Sequence, residues 1–497
     1  MASATPEGTG TARKFSRDVV VYASGDVATR ALGFVSVPIY THVFLPDEYS
    51  LLAFVSTIAT LAAGIAILGG DTALTRFWFE DESEVARRRL TTTWIGFLAL
   101  SAVVVSLLIA LFVPSFASAL LEDTSRENLL WIVLATVPVA NTSRMLAQIL
   151  RNDFRPVPYA LTSFAVGAIA LSTGLLLVLR LDLGVAGILA GVLVAETVVL
   201  LVRIALTRSR LIGSFDVALL RRLLRFGLPL VPVTMSFWVF TASDRIVLAK
   251  FGSFEELGFY SAALSLISVF ALLSAAVAQA WVPRMFLLYE RDRAHAAEVV
   301  GASITYYLFA LGLVALGLSS LAPELIDLIT APAYTRASEV VPLLALGAVA
   351  YGTSMLTASG LTLTYQTGRL STFSAGAAIC NVLLALLLVP SFGMTGAATA
   401  SLLGYTVLTC AYLVASQRVW RVNLESRRLV ATAVALTLTV VAASLLRTES
   451  VLLRLLLVPA YVVAVALVGG LTPRDGRILR ELAGVGGRLG RHTGVGR

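Results

Sequence analysis

Charge is scarce in this chain. Asp, Glu, Lys and Arg make up 14% of its 497 residues and hydrophobic residues 58%, whereas about a quarter of a soluble domain is charged. So few ionisable side chains cannot cover a water-facing surface of this size, and the mean hydropathy of +0.86 agrees. Lysine is nearly missing: Lys14 and Lys250 are the two, and every other basic residue counted here is Arg. The net charge of +8 sits in short segments between apolar runs and not on one polar face, which argues against a nucleic-acid partner. The two cysteines, Cys380 and Cys410, lie in apolar runs, which excludes a disulfide framework. His42, His295 and His492 are scattered and form no ligand cluster, so no metal site is expected. Glycine-rich phosphate loops, Ser/His/Asp sets and nucleotide motifs are also missing. No cofactor and no ATP-driven step are therefore expected. Any work done would draw on an ion gradient, the membrane potential or downstream consumption of a product.

What the chain has instead is a succession of apolar runs, each near the ~20 residues needed to cross a bilayer. Fourteen spans fit, at about 18–44, 48–70, 90–113, 128–150, 156–180, 184–206, 226–250, 255–282, 297–321, 339–365, 370–389, 393–415, 429–446 and 452–470. With the N-terminus in the cytoplasm, 29 of the 38 basic residues fall on the cytoplasmic side and six in outer loops. Arg30, Arg144 and Arg245 remain inside spans. Cytoplasmic loops carry the excess of Lys and Arg, and an error in the span count would scramble that alternation. Both termini are expected inside, with residues 1–17 as a cytoplasmic tail that runs into an uncleaved first helix. The outer loops, the longest near 114–127 and 322–338, are too short to hold a folded catalytic domain.

The chain also repeats itself. "RKFSR" at 13–17 matches "RRLLR" at 221–225, and "LPDEY" at 45–49 matches "SFEEL" at 253–257, both at an offset of 208; "LDLGVAG" at 181–187 matches "PSFGMTG" at 390–396 at an offset of 209. Two copies of a six-helix unit follow, both entering from the cytoplasm and so related by an axis along the membrane normal. The expected organisation is a lobe at 18–207, a linker at 208–225, a second lobe at 226–415, two further helices at 416–470 and a basic tail at 471–497. Ser253 to Glu256 has the form of a capping box, and Pro46-Asp47-Glu48 suits the first turn of a helix. Asp47, Glu48, Glu255 and Glu256 therefore read as helix-end residues. Gly184, Gly187, Gly393 and Gly396 read as tight turns and close helix contacts.

Several stretches carry a family resemblance. "SVPIYTHVFLPDEYSLLAF", "GGDTALTRFWFE", "DRIVLAKFGSFEELGFYSAA" and "VPSFGMTGAATASLLGYTV" resemble segments of polysaccharide-biosynthesis flippases. These form the lipid-linked oligosaccharide side of the multidrug/oligosaccharidyl-lipid/polysaccharide exporter superfamily. The resemblance covers about residues 15–420 and points to a branch more sharply than to a substrate. It implies an all-α polytopic membrane protein with two parallel six-helix lobes of MATE-like fold around a central cavity, plus two C-terminal helices. It implies alternating access and a polyprenyl-(di)phosphate-linked oligosaccharide as cargo. Relatives with fourteen helices include peptidoglycan precursor flippases, whose last two helices form a lipid-facing groove.

Such a cargo sets the chemistry. Its phosphate and sugars need a polar path, and a central Arg in a span costs about 2.5–3.5 kcal/mol on insertion scales, so the spans' arginines call for an explanation. Arginine's planar fork suits phosphate oxygens. Arg30 lies near the middle of the first span with Asp26 four residues earlier on the same face; phosphate contact and a neutralising intrahelical pair are both open. In the fourth span Asn141, Arg144, Gln148 and Arg151 share one helix stripe and are candidates to line the cavity, with Arg151 and Arg144 also able to snorkel to headgroups. Asp244 and Arg245 fall at the outer end of the seventh span, as a gate or interlobe contact. Thr234, Trp238 and Thr241 share the face of Arg245. Gln279, Asn381, Glu196 and Tyr365 read as helix–helix hydrogen-bond partners.

The function expected is a non-enzymatic flippase in the cell membrane, working as a monomer among membrane lipids, with glycosyltransferases or a polymerase of its pathway as further partners. A cation-coupled multidrug exporter of the same fold is the alternative. It would need buried carboxylates, whereas the mid-membrane charges here are mainly arginines, which favours an anionic cargo. A membrane glycosyltransferase or polymerase is the third reading, and the short outer loops count against it.

Overall fold

The computed structural model describes residues 7–67, 70–81, 83–115, 126–228 and 231–467. The basic tail expected from 471 onward lies outside these residues. Every described element is helical. The first helices are α1 (Glu7–Val43), α2 (Pro46–Ile67), α3 (Gly70–Trp78), α4 (Glu84–Ala110), α5 (Glu127–Asn152), α6 (Pro156–Leu181) and α7 (Gly184–Leu211). They continue as α8 (Val217–Gly227), α9 (Val231–Phe251), α10 (Phe254–Arg291), α11 (Arg293–Ser320), α12 (Ala322–Ile329), a 3-10 turn (Pro332–Glu339), α13 (Val341–Thr357) and α14 (Ser359–Leu363). The last are α15 (Thr367–Val419), α16 (Ser426–Leu445), α17 (Val451–Leu455) and α18 (Leu457–Leu467).

Among the described residues, ten helices are long and apolar enough to cross a membrane, as a multi-pass membrane protein requires. One of the ten, α15, is two helices joined at Gly393, whose φ of 52° and ψ of −132° are not helical. The helices α1 and α9, each with several ionisable residues, fall outside the ten, and Val451–Leu467 is a shorter apolar stretch. The helix total therefore depends on how these segments are counted, and these criteria do not by themselves reach fourteen.

Local chemistry explains the helix ends. At α2, Pro46 leads the helix and the Leu45 N–H donates to Glu48 Oε2 at 3.3 Å. At α10, the Glu256 N–H donates to Ser253 Oγ at 3.1 Å. Both bonds satisfy amides that a helix start leaves without a partner. Asp216 caps α8 through the Ala218 and Leu219 N–H groups, and Asp292 caps α11 through those of Ala294 and His295.

By contact the chain divides into two units. The first holds residues 1–265 with 329–334 and 389–394. In it α6 and α7 form an antiparallel pair so close that a Cβ on Gly191 would lie 2.5 Å from the Gly174 nitrogen. Trp78 at the end of α3 and Trp94 inside α4 are fully buried, with Met145, Leu146 and Ile149 of α5 and Leu223 of α8 around them. The apolar face of α8 is thus spent on this core, and its arginines face outward; Arg222 pairs with Glu80 at 2.6 Å. The two copies of the repeated acidic motif meet here: a Cβ on Gly258 would overlap the Pro46 carbonyl oxygen. Tyr334 closes that contact, its hydroxyl donating to the Phe44 carbonyl at 2.9 Å and its ring lying edge-on to Tyr49 and Phe259.

The second unit holds residues 266–328, 335–388 and 395–497. Its centre is α11, packed by α13 and by α16 and α18. Gly301 lies against the Asn423 carbonyl and Gly312 against the Tyr461 hydroxyl, while the Tyr461 ring stacks on Phe309 at 5.5 Å. Arg454, 2% exposed, pairs with Glu324, and Arg447 reaches Glu339 at 3.4 Å. These two ion pairs hold the α16–α18 hairpin to the segment that follows α11.

Candidate functional site

The candidate residues all belong to the first unit. Arg30 is exposed on α1 and forms no hydrogen bond or ion pair with any described side chain. The side chain of Asp26 lies outside the described set, as does that of Thr234. The helix carrying Arg30 packs along α6, where Gly25 meets Ala160 so closely that a Cβ would come within 2.5 Å. This fixes α1 against the bundle one turn before Arg30.

On α5 the four-residue stripe divides by contact. Pro138 lies inside the helix just before it and supplies no N–H to the ladder there. Asn141 is 3% exposed and its Nδ2 donates to the Ala63 carbonyl of α2 at 3.2 Å. Its Oδ1 is buried without a partner. Gln148 donates to Thr75 Oγ1 of α3 at 3.0 Å and to Asn152 Oδ1 at 3.2 Å. Arg144 and Arg151 are exposed. The stripe therefore spends its amides on helix contacts and leaves its guanidinium groups open.

Asp244 and Arg245 are stitched in opposite directions. Asp244, 4% exposed, accepts the Arg245 N–H on Oδ1 at 2.8 Å and the Tyr260 hydroxyl of α10 on Oδ2. Arg245 Nη1 donates to Thr57 Oγ1 of α2 at 3.2 Å, and its Nε is buried without a partner. Seven residues earlier on α9, the Trp238 indole fills the space a Cβ on Gly64 would take. The Asp–Arg pair thus ties α9, from the second sequence copy, to α2, from the first.

One buried charge is not evident from sequence position. Arg203 sits near the end of α7, which groups it with the loop arginines, yet it is 4% exposed. Its Nη1 donates to Ser143 Oγ at 2.6 Å, its Nε to Thr162 Oγ1 at 3.2 Å and its Nη2 to Ser163 Oγ at 3.4 Å. Glu196, also on α7, has its Oε2 buried without a partner. The spacing of seven between Glu196 and Arg203 puts them on one helix face, and that is the signal the sequence holds. Among the weaker candidates, Asn381 is structural: it is fully buried and donates to the Ala400 carbonyl at 3.1 Å. Outside the spans, the Ser83 N–H at 2.9 Å holds the Asp81 carboxyl below its usual range, and burial pushes the Tyr334 phenol well up. Among the described residues no group of His, Cys, Asp and Glu could hold a metal ion.

Arg30 on α1 and Arg144 on α5 are both exposed, and an exposed guanidinium offers a planar fork that suits an anion. The family model described as polysaccharide biosynthesis protein matches residues 15–288. A solved structure of the lipid II flippase MurJ, in an inward closed conformation, superposes with a TM-score of 0.71 at 13% identity, over 92% of this chain and 100% of that one. An inward-facing multidrug resistance MATE family transporter of the MOP superfamily gives 0.59 at 15% identity, over 78% and 94%. A MOP superfamily transporter from Pyrococcus furiosus, noted for a reversed polarity of its binding pocket, gives 0.54 at 15% identity, over 81% and 95%. A search of curated proteins finds no match.

Proposed function

The chain belongs to the polysaccharide biosynthesis protein family, and from that premise we propose that it is a flippase. Its cargo is a polyprenyl-(di)phosphate-linked oligosaccharide, moved across the cell membrane by alternating access for surface glycan assembly. The family match over residues 15–288 is the observation that carries this reading. Arg30 and Arg144 lie inside that match and are the proposed phosphate contacts. Asn141 and Gln148 hold α5 in place beside them, Asp26 neutralises Arg30 between transport cycles, and Asp244 with Arg245 acts as a gate or interlobe contact. The lobes proposed are 18–207 and 226–415, with both termini in the cytoplasm. No catalytic step is proposed; glycosyltransferases or a polymerase of the same pathway would supply and consume the cargo.

The test is direct. Purified protein reconstituted in liposomes should move a lipid-linked oligosaccharide between leaflets, and deletion of its gene should remove a surface glycan. Failure of both sinks the proposal. The multidrug-exporter alternative is favoured by the MATE superpositions and predicts a different phenotype: a deletion strain more sensitive to cationic drugs, with surface glycan intact.

A further inference from the structure

One end of the first unit holds more arginine than carboxylate. Three of the membrane-length helices reach it: α4 starts there at Glu84, α5 ends at Asn152 and α7 ends at Leu211. The short helix α8 is pinned across these ends. Thr92 of α4 donates to the Leu211 carbonyl at 2.9 Å, and the Asp216 N–H ahead of α8 donates to Thr93 Oγ1 at 3.0 Å. The carboxylates of Asp216, Glu80, Glu84 and Asp153 are already spent, the first on Arg89, the second on Arg222 and the last two on Arg210. Arg221 and Arg225 are left over. They stand one turn apart on α8, both exposed, and pair with no carboxylate among the described residues. Like charges at this spacing repel, so the two guanidinium groups call for an anion.

A second observation lies beside them. Phe79 precedes Glu80, the partner of Arg222, and its ring meets that of Phe154 at 6.1 Å, with both rings exposed. Phe154 follows the end of α5 with a φ of 53°, in a place where helices commonly put glycine. Its N–H donates to the Arg151 carbonyl at 3.1 Å, and the Arg155 N–H to the Leu150 carbonyl at 2.9 Å. A bulky residue in that conformation is strained, and this one gains no burial in return, being 64% exposed. Exposed aromatic rings at the ends of apolar spans suit the lipid interface. The apolar face of α8 is spent on the Trp78 core, so α8 does not insert as an amphipathic anchor does; what it offers outward is charge. We propose that this end of the first unit binds the headgroup of an anionic phospholipid, the species that lies at the ends of membrane spans. Arg221 and Arg225 take its phosphate, and the Phe79–Phe154 pair packs against its glycerol and upper acyl chains. The site is separate from the proposed cargo contacts, since Arg144 lies about two turns back along α5.

Native mass spectrometry of the full-length protein in detergent tests this by counting bound lipid as phosphatidylglycerol or phosphatidylcholine is added. Phosphatidylglycerol should bind about tenfold more tightly, the scale of two basic residues beside an anionic headgroup. That preference should fall severalfold in about 0.5 M ammonium acetate, where the screening length is about 4 Å. Arg221→Gln combined with Arg225→Gln should lose it, and Arg221→Lys combined with Arg225→Lys should keep most of it. Phe154→Gly relieves the left-handed backbone, so it should melt higher than the unaltered protein and yet bind both lipids about threefold more weakly. Arg144→Ala should leave phosphatidylglycerol binding unchanged. Equal binding of the two lipids overturns the proposal, as does a preference that survives the double Gln variant. A preference that high salt leaves intact also overturns it, whether or not the variants fold. Loss of the preference in Arg144→Ala would place the lipid in the proposed cargo site and remove it from α8. Normal binding of both lipids by Phe154→Gly would take the aromatic pair out of the site.

Discussion

Arg30, Arg144 and Arg203 are three arginines on helices of the first unit, and their surroundings differ. Arg30 and Arg144 are exposed and without described partners. Replacing either with Ala should abolish surface glycan while leaving membrane insertion and expression unchanged, as read by glycan immunoblot beside a membrane-fraction blot. Normal display in both variants would remove them from the cargo path. Arg203, by contrast, is 4% exposed and makes three hydrogen bonds to hydroxyls on α5 and α6. Arg203→Ala leaves three hydroxyls without their charged donor. A hydrogen bond to a charged group contributes about 1.5–3 kcal/mol, so this variant should lose folded yield on fluorescence-detected size exclusion, with a lowered melting temperature. A variant that elutes and melts like the unaltered protein would show that the network is not what holds α5, α6 and α7 together.

At the scale of elements, the repeat is expressed in backbone conformation as well as in residues. Gly184 and Gly393, matched at an offset of 209, are the two glycines with positive φ among the described residues, both at 52°. Each begins a helix after a polar turn, and a left-handed residue there is one that glycine accepts without strain. At Gly393 a side chain faces a second obstacle, because a Cβ would collide with the Glu256 carboxylate. Gly393→Ala should therefore cut the yield of folded protein severely, while Gly184→Ala, which meets nothing within 4 Å, should cost about 1 kcal/mol of backbone strain. Thermal melts of the two variants, side by side, check the asymmetry. Equal effects would mean that the backbone angle alone matters. The helix starts are legible in the sequence, since Pro46, Glu48, Ser253 and Glu256 announce them by type and spacing. The meeting of those two starts is not, because Gly258 and the Pro46 carbonyl are far apart in the chain.

The whole molecule raises the matter of orientation. The Arg distribution predicts both termini inside, and labelling can test it. In a variant with Cys380 and Cys410 replaced by Ala, single cysteines at Arg126 and Glu449 should react with a membrane-impermeant maleimide in intact cells. Cysteines at Ser209 and Arg421 should react only after the membrane is opened. The opposite pattern would invert the topology and with it the direction of transport. The α16–α18 hairpin belongs to this scale too. Arg454–Glu324 ties it to α12 and the Gly312–Tyr461 contact to α11, so it forms part of the second unit's core.

Hydropathy determined that this chain crosses a membrane many times, charge alternation and a constant offset gave the expectation of two copies of a helical unit, and a few quoted stretches carried the family resemblance. Those properties are local or additive: each apolar run must find lipid or protein, each proline or glycine sets its own backbone, and neither depends on a distant partner. Which polar side chains remain open was decided by packing alone. Asn141 and Gln148 stand on the same stripe as Arg144, yet α2 and α3 take up both amides and leave the guanidinium exposed. Arg203 resembles a loop arginine by position, yet it is enclosed by hydroxyls from α5 and α6. The free energy of a buried polar group depends on the partners that distant segments bring to it, and only the folded chain brings them.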